Sequence, residues 1–198
     1  MKVKKSLIIL GGGLLLLILL YSFFSGSFNK MVTFEEKVSS QWAMVENVYQ
    51  RRADLIPNLV NTVKGAADFE KSTLEAVIKA RAEATSVKLS ADNLDPDAIA
   101  RFQQAQDGLS AALSRLLVSV EKYPELKANQ NFLELQSQLE GTENRIATER
   151  RKYNEIVQDY NIYIRTFPRN LIAGPFGFDK KGYFRATAGA ERAPAVIF

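Results

Sequence analysis

Bulky apolar residues recur at alternating steps of three and four through Met31, Phe34, Val38, Trp42, Val45 and Tyr49, the seam of an amphipathic helix. The spacing returns in three more stretches: Ile56 to Leu89, Ile99 to Val120, and Phe132 to Ile164. No stretch alternates with the period of two that a half-buried strand requires. Short connections between four such helices predict an all-α fold, an antiparallel up-and-down four-helix bundle. Asp95, Pro96 and Asp97 mark the start of the third helix, by cap, first-turn proline and dipole. Tyr123-Pro124 stops it, and the fourth begins near Asn129 and ends at Phe167-Pro168. Between the first two helices the pattern is ambiguous. Asp54 can cap a new helix with Pro57 harmless in its first turn, or one long helix can run on through Pro57. The expectation is a break near Arg51 to Ala53, which lets the second helix fold back.

Ahead of the bundle the amphipathic pattern disappears. Lys2, Lys4 and Lys5 precede an uncharged, mostly apolar run from Ser6 to Phe24, close to the ~30 Å a bilayer core demands of a helix. Tyr21, Phe23 and Phe24 fall where an interfacial aromatic belt would lie. A retained anchor is expected; the competing reading is a cleaved signal peptide with Ser25-Gly26-Ser27 as its site. The lysine bias predicts a cytoplasmic tail and an extracytoplasmic domain. The expected organisation is a basic tail at 1–5, a transmembrane anchor at 6–27 and a bundle at 28–167. A Gly/Pro/aromatic segment follows at 168–198, docked in its first half and loose over roughly its last ten residues.

Composition narrows the chemistry. The 198 residues contain no histidine and no cysteine, which removes Ser-His-Asp and Cys-His catalysis, disulfides, lipoprotein processing and the usual zinc sets. No cofactor and no metal site is expected. A net charge of +4 is too small an excess to argue for nucleic acid.

What polar patterning remains lies on helices. Tyr153-Asn154 recurs as Tyr160-Asn161, and seven residues on a helix turn through about 700°, so each pair repeats on one face. The tyrosines continue the apolar seam. Asn144, Arg151, Asn154 and Asn161 form a polar stripe beside it, and Asn47, Arg51, Asp54 and Asn58 form another. The two stripes are candidates for an interaction face, an inter-helix hydrogen-bond network, or plain solvated surface.

Three segments carry a family resemblance: "WAMVENVYQRRADLIPNLVNTVKGAADFE", the run from Val120 to Asn161 beginning "VEKYPELKANQNFLELQ", and "FPRNLIAGPFGF". Together they closely resemble the LemA family of bacterial membrane proteins, from about Phe28 to Phe184. The resemblance implies a single-span anchor and a four-helix bundle, and implies no reaction or cofactor.

Three functions are weighed. The leading one is a non-catalytic, membrane-anchored interaction or scaffold protein of the cell envelope, held by the lipid bilayer and partnered by another membrane or envelope protein. The second is binding of anionic lipid or envelope polymer by Arg145, Arg150, Arg151 and Lys152 with Arg51 and Arg52. The third is an enzyme using carboxylates such as Glu121, Glu134, Glu140, Glu143 and Glu149.

Overall fold

In a computed structural model, which describes residues 2–65 and 69–186, the apolar run and the first amphipathic seam form one uninterrupted helix, α1 (Lys2–Lys64). The remaining elements are α2 (Lys71–Ser86), α3 (Pro96–Val120), a single turn α4 (Pro124–Lys127), α5 (Gln130–Arg165), α6 (Asn170–Ala173) and a 3-10 turn at Gly174–Phe176. No strand occurs among the described residues. The expected looseness of the last ten residues lies outside them.

The expected break near Arg51 to Ala53 is absent. α1 continues through Pro57 to Lys64, and the next helix, α2, begins at Lys71. Pro57 has no N–H to give the carbonyl of Ala53, four residues earlier, and an interior proline ordinarily destabilises a helix by about 3 kcal/mol. Here the orphaned carbonyl has another donor: Arg81 of α2 gives its Nε–H to the Ala53 oxygen at 2.8 Å. The donor comes from across the bundle, which is why the local sequence pointed to a break.

At 1.5 Å per residue α5 is about 54 Å long and α2 only about 24 Å. This mismatch divides the bundle. In the half far from the apolar run, α1, α2, α3 and α5 close over a four-helix core that includes Ile56, Leu59, Val77, Leu109, Leu116 and Leu139. In the near half, the space beside α1, α5 and the start of α3 is filled by other parts. These are Leu94 from the loop after α2, Ile172 and Ala173 of α6, and Phe178 and Phe184 from the irregular residues 177–186. Trp42 sits at the centre of this half, with the rings of Phe102 at 5.2 Å, Tyr153 at 5.7 Å and Phe184 at 6.2 Å. The C-terminal segment thus completes the core that α2 is too short to close.

α3 starts where its sequence predicts. The Asp95 carboxylate accepts the N–H groups of Asp97 and Ala98 at 2.8 and 2.9 Å. Those bonds, that of Ala98 foremost, hold its carboxyl below the ordinary value of 3.8. A depressed folded-state pKa stabilises the fold above the unfolded value, and that contribution is lost as pH falls through the folded one. Asp95→Asn keeps the cap geometry and is expected to flatten the melting temperature against pH below about 4. Thermal melts across that range check it.

A second expectation concerns Pro57. Arg81→Met strands the Ala53 carbonyl and should cost about 1–3 kcal/mol. With Pro57→Ala, a backbone N–H becomes available and the cost of Arg81→Met should shrink. Denaturation of the four proteins of this double-mutant cycle reads the coupling; strict additivity would show that Arg81 does not compensate for the proline.

Candidate interaction face

Each stripe residue has a definite place. Asn47, Arg51, Asp54 and Asn58 project from α1 into solvent, as do Asn144 and Arg151 from α5. They do not converge on one pocket. Asn58 lines a shallow groove between α1 and α5 with Asn61, Asn131 and Gln138. Asn144 lines another, between α3 and α5, with Ser110 and Glu140. Arg151 borders a third with Arg150 and Arg185.

Asn154 and Asn161 have a different role. Asn161 is 3 % exposed, donates through Nδ2 to the carbonyl of Lys181 at 2.9 Å, and accepts the Lys181 N–H on Oδ1 at 3.0 Å. Asn154 holds Phe184 in the same way, at 2.8 and 2.9 Å. From the opposite side, Gln103 of α3 grips Arg185 at 3.0 and 2.9 Å. Three carboxamides therefore clamp residues 181–185, each matching one peptide donor and one peptide acceptor. The Tyr160 hydroxyl adds a bond to the Asp179 carbonyl at 3.0 Å. Its phenol is pushed up by burial and by the charges of Glu35 and Asp179, so it stays a neutral donor. Lys181 buries its side chain and pairs with Glu35 of α1 at 2.9 Å. Gly182 donates to the Leu94 carbonyl at 2.7 Å, and a Cβ there would stand 2.8 Å from the Cα of Pro96. That close approach requires glycine.

The core polar hub is Arg52, 1 % exposed. Its guanidinium donates to Ser110 Oγ and Glu143 Oε1, both at 2.8 Å, and to the side chain and carbonyl of Gln106. Gln106 in turn donates to the Ala84 carbonyl at 3.1 Å. One connected layer thus ties α1, α3, α5 and α2 where the two core halves meet. Sequence reasoning grouped Arg52 with surface arginines and did not single out Gln103 or Gln106. The signal was available: Tyr49, Arg52, Ile56 and Leu59 keep the seam spacing, as do Ile99, Gln103, Gln106 and Leu109. A polar residue on a core-facing position marks a buried bond.

The carboxylates are mostly engaged structurally. Glu143 pairs with Arg52, Glu121 with Lys127, and Glu149 with Lys152. Lys152 and then Gln41 hold Glu149 below the usual carboxylate range. Burial pushes Glu46 up, but Glu46 is the single carboxylate lining its cleft, an opening of about 300 Å³ between α1, α2 and α3. No group of three or more potential metal ligands occurs among the described residues.

Asn154, Asn161 and the Pro-rich corner fall in the segments that carried the family resemblance, whereas Gln103 and Gly182 lie outside them, and a model of the LemA family matches residues 41–198. The chain belongs to the LemA family. Among its relatives, magnetosome protein MamQ 2 of Paramagnetospirillum magneticum is 29 % identical over 178 residues, covering 80 % of this chain and 64 % of that protein. MamQ of Magnetospirillum gryphiswaldense is 27 % identical, covering 79 % of this chain and 64 % of its own length. Protein LemA of Metamycoplasma hominis is 23 % identical over 167 residues, covering 84 % of this chain and 73 % of that protein. The chain spans only about two thirds of the length of its MamQ relatives.

Asn161→Leu removes both bonds to Lys181 and should destabilise by about 1–3 kcal/mol through the stranded backbone groups. It should also speed tryptic cleavage at Lys180 and Lys181, because the clamp holds that backbone out of a protease's reach. Asn144→Leu, on an exposed position, should change stability by no more than about 0.5 kcal/mol. Arg52→Met should cost about 1–3 kcal/mol by leaving buried Gln106 without its donor, the half-exposed Glu143 being free to rehydrate. Melting curves and a digestion time course check all three.

Proposed function

We propose that this LemA-family protein is a non-catalytic, membrane-anchored interaction module of the bacterial cell envelope, with the bundle on the extracytoplasmic side. The observation that carries the reading is the continuity of α1, in which one helix is both the apolar segment and the first wall of the bundle. That continuity also supports retention of the anchor. Ser25, Gly26 and Ser27 lie inside an unbroken helix, and Ser27 is buried against the bundle. The lack of histidine and cysteine and the ion pairs of Glu121, Glu143 and Glu149 support a non-catalytic role. The exposed stripe of Asn47, Arg51, Asp54 and Asn58, with Asn144 and Arg151, is the surface we assign to another membrane or envelope protein.

The anionic-polymer reading loses one of its cations, because Arg52 is buried and bonded. Arg150 is also engaged, donating to the Arg185 carbonyl at 2.9 Å.

Two measurements test the proposal. Protease added outside intact spheroplasts should digest the bundle; full protection that lysis abolishes would place the domain in the cytoplasm. Photoreactive substitutions at Asn58 and Arg151 should capture a defined membrane or envelope protein, while one at Ile78, exposed on α2, should not. Equal capture from all three positions would mean that the stripe is not a specific face.

A further inference from the structure

The near end of the bundle carries apolar side chains that the core does not use. Past α5 the chain turns through Phe167, Leu171 and Phe176, which are 75 %, 65 % and 59 % exposed. Their neighbours Ile172, Ala173 and Phe178 point inward and are buried. The corner is therefore docked on one side and bare on the other.

Its position relative to α1 is fixed by ring contacts. Phe28 touches Phe176 at 5.4 Å and Phe178 at 5.5 Å. Phe28 lies four residues beyond Phe24, where the apolar run ends, a rise of about 6 Å. The exposed apolar corner thus stands about one helical turn from the end of the apolar segment, at the depth where interfacial aromatic residues sit. The charges fit the same level. Arg165, Arg169 and Lys180 belong to the corner itself and Lys30 lies over Tyr163 beside it, while of the nearby acids Asp179 and Glu35, Glu35 is paired with Lys181. Arg169 and Lys30 lie over the ring of Tyr163 at 4.2 and 5.4 Å, which leaves these cations beside the apolar residues rather than paired to carboxylates.

We infer that the corner at residues 165–180 is a second membrane contact, in which Phe167, Leu171 and Phe176 enter the headgroup–acyl boundary of the bilayer that α1 crosses. Lys30, Arg165 and Lys180 meet anionic headgroups there. Burial of apolar side chains plus attraction to anionic lipid is the chemistry of an interfacial element. With α1, the corner gives two points of attachment, which sets the rotation of the bundle about α1. The inference rests on α1 spanning the bilayer.

The absence of cysteine makes the test direct. Full-length protein carrying Leu171→Cys or Phe176→Cys, labelled with an environment-sensitive fluorophore, is reconstituted in vesicles of phosphatidylcholine and phosphatidylglycerol. Leu17→Cys reports the span, and Val118→Cys, at the exposed far end of α3, reports water. Labels at 171 and 176 should be quenched at least about threefold more by nitroxide placed high on the lipid chains than the label at 118, and shielded from aqueous iodide. Quenching at 17 with water-like behaviour at 171 and 176 overturns the inference and leaves the span intact. Shielding from iodide without lipid quenching also overturns it, since a second copy or another protein would then cover the corner. Loss of lipid quenching at 17 instead overturns the span, and the inference with it.

Discussion

An extended backbone laid into a helical bundle brings peptide groups that no helix can satisfy, and the near half of this protein is organised around that constraint. α2 stops short, so the core beside Trp42 needs another wall. The wall is a bare stretch of main chain, whose buried N–H and C=O groups must each find a partner. A carboxamide suits the task because it offers a donor and an acceptor side by side, like the peptide it binds. Spacing matters as much as chemistry. Seven residues of helix rise about 10.5 Å and three residues of extended chain cover about 10 Å. Asn154 and Asn161 are seven apart on α5, and Phe184 and Lys181 are three apart on residues 177–186, the strap. The repeated Tyr-Asn is thus a ruler, in which the tyrosines pack and the asparagines index the strap.

The Arg52 layer solves a related problem at the other boundary of that half. Where α2 begins to close the bundle, the apolar seam is interrupted by a guanidinium that joins α1 to α3 and α5, and through Gln106 to the backbone of α2. A buried charge of this kind contributes little net stability compared with apolar packing, but it is costly to mispair. A bundle of similar apolar helices can slide in register by a turn at small cost in hydrophobic contact. Displacing Arg52 by a turn leaves its charge without Glu143 and Gln106, so the layer fixes the register that the strap's clamps then require.

Much of this was legible in the chain, and the failures have physical causes. Seam spacing found the helices, and the Asp95-Pro96 start was readable because a cap is a local device. The turn was misplaced because Pro57 and Asp54 are local breakers, whereas the compensating donor, Arg81, lies far along the sequence. The strap was legible only as aromatic content. Its clamps are pairings between an amide on a helix and a backbone on an irregular segment, and periodicity carries no trace of which backbone is bound. Asn154 and Asn161 could be placed on a stripe. Whether that stripe faced solvent, a partner or the chain itself depended on where residues 177–186 run.

The uninterrupted α1 bears on how such a module can work. From Phe24 to Lys64 the helix rises about 60 Å, with no loop between the apolar run and the bundle. A flexible tether would let a domain search a hemisphere and lie flat on the bilayer, raising its effective concentration toward partners of any height. A helix shared by both parts does not: it holds each exposed stripe position at a set distance from the apolar run. Arg81 is part of that mechanical property, because without a partner for the Ala53 carbonyl the helix has a weak point at Pro57, about two turns before its far end. Asn47 stands about 35 Å beyond Phe24 and Asn58 about 51 Å. Under the proposed function, a partner that reads this stripe must reach those distances from the apolar run.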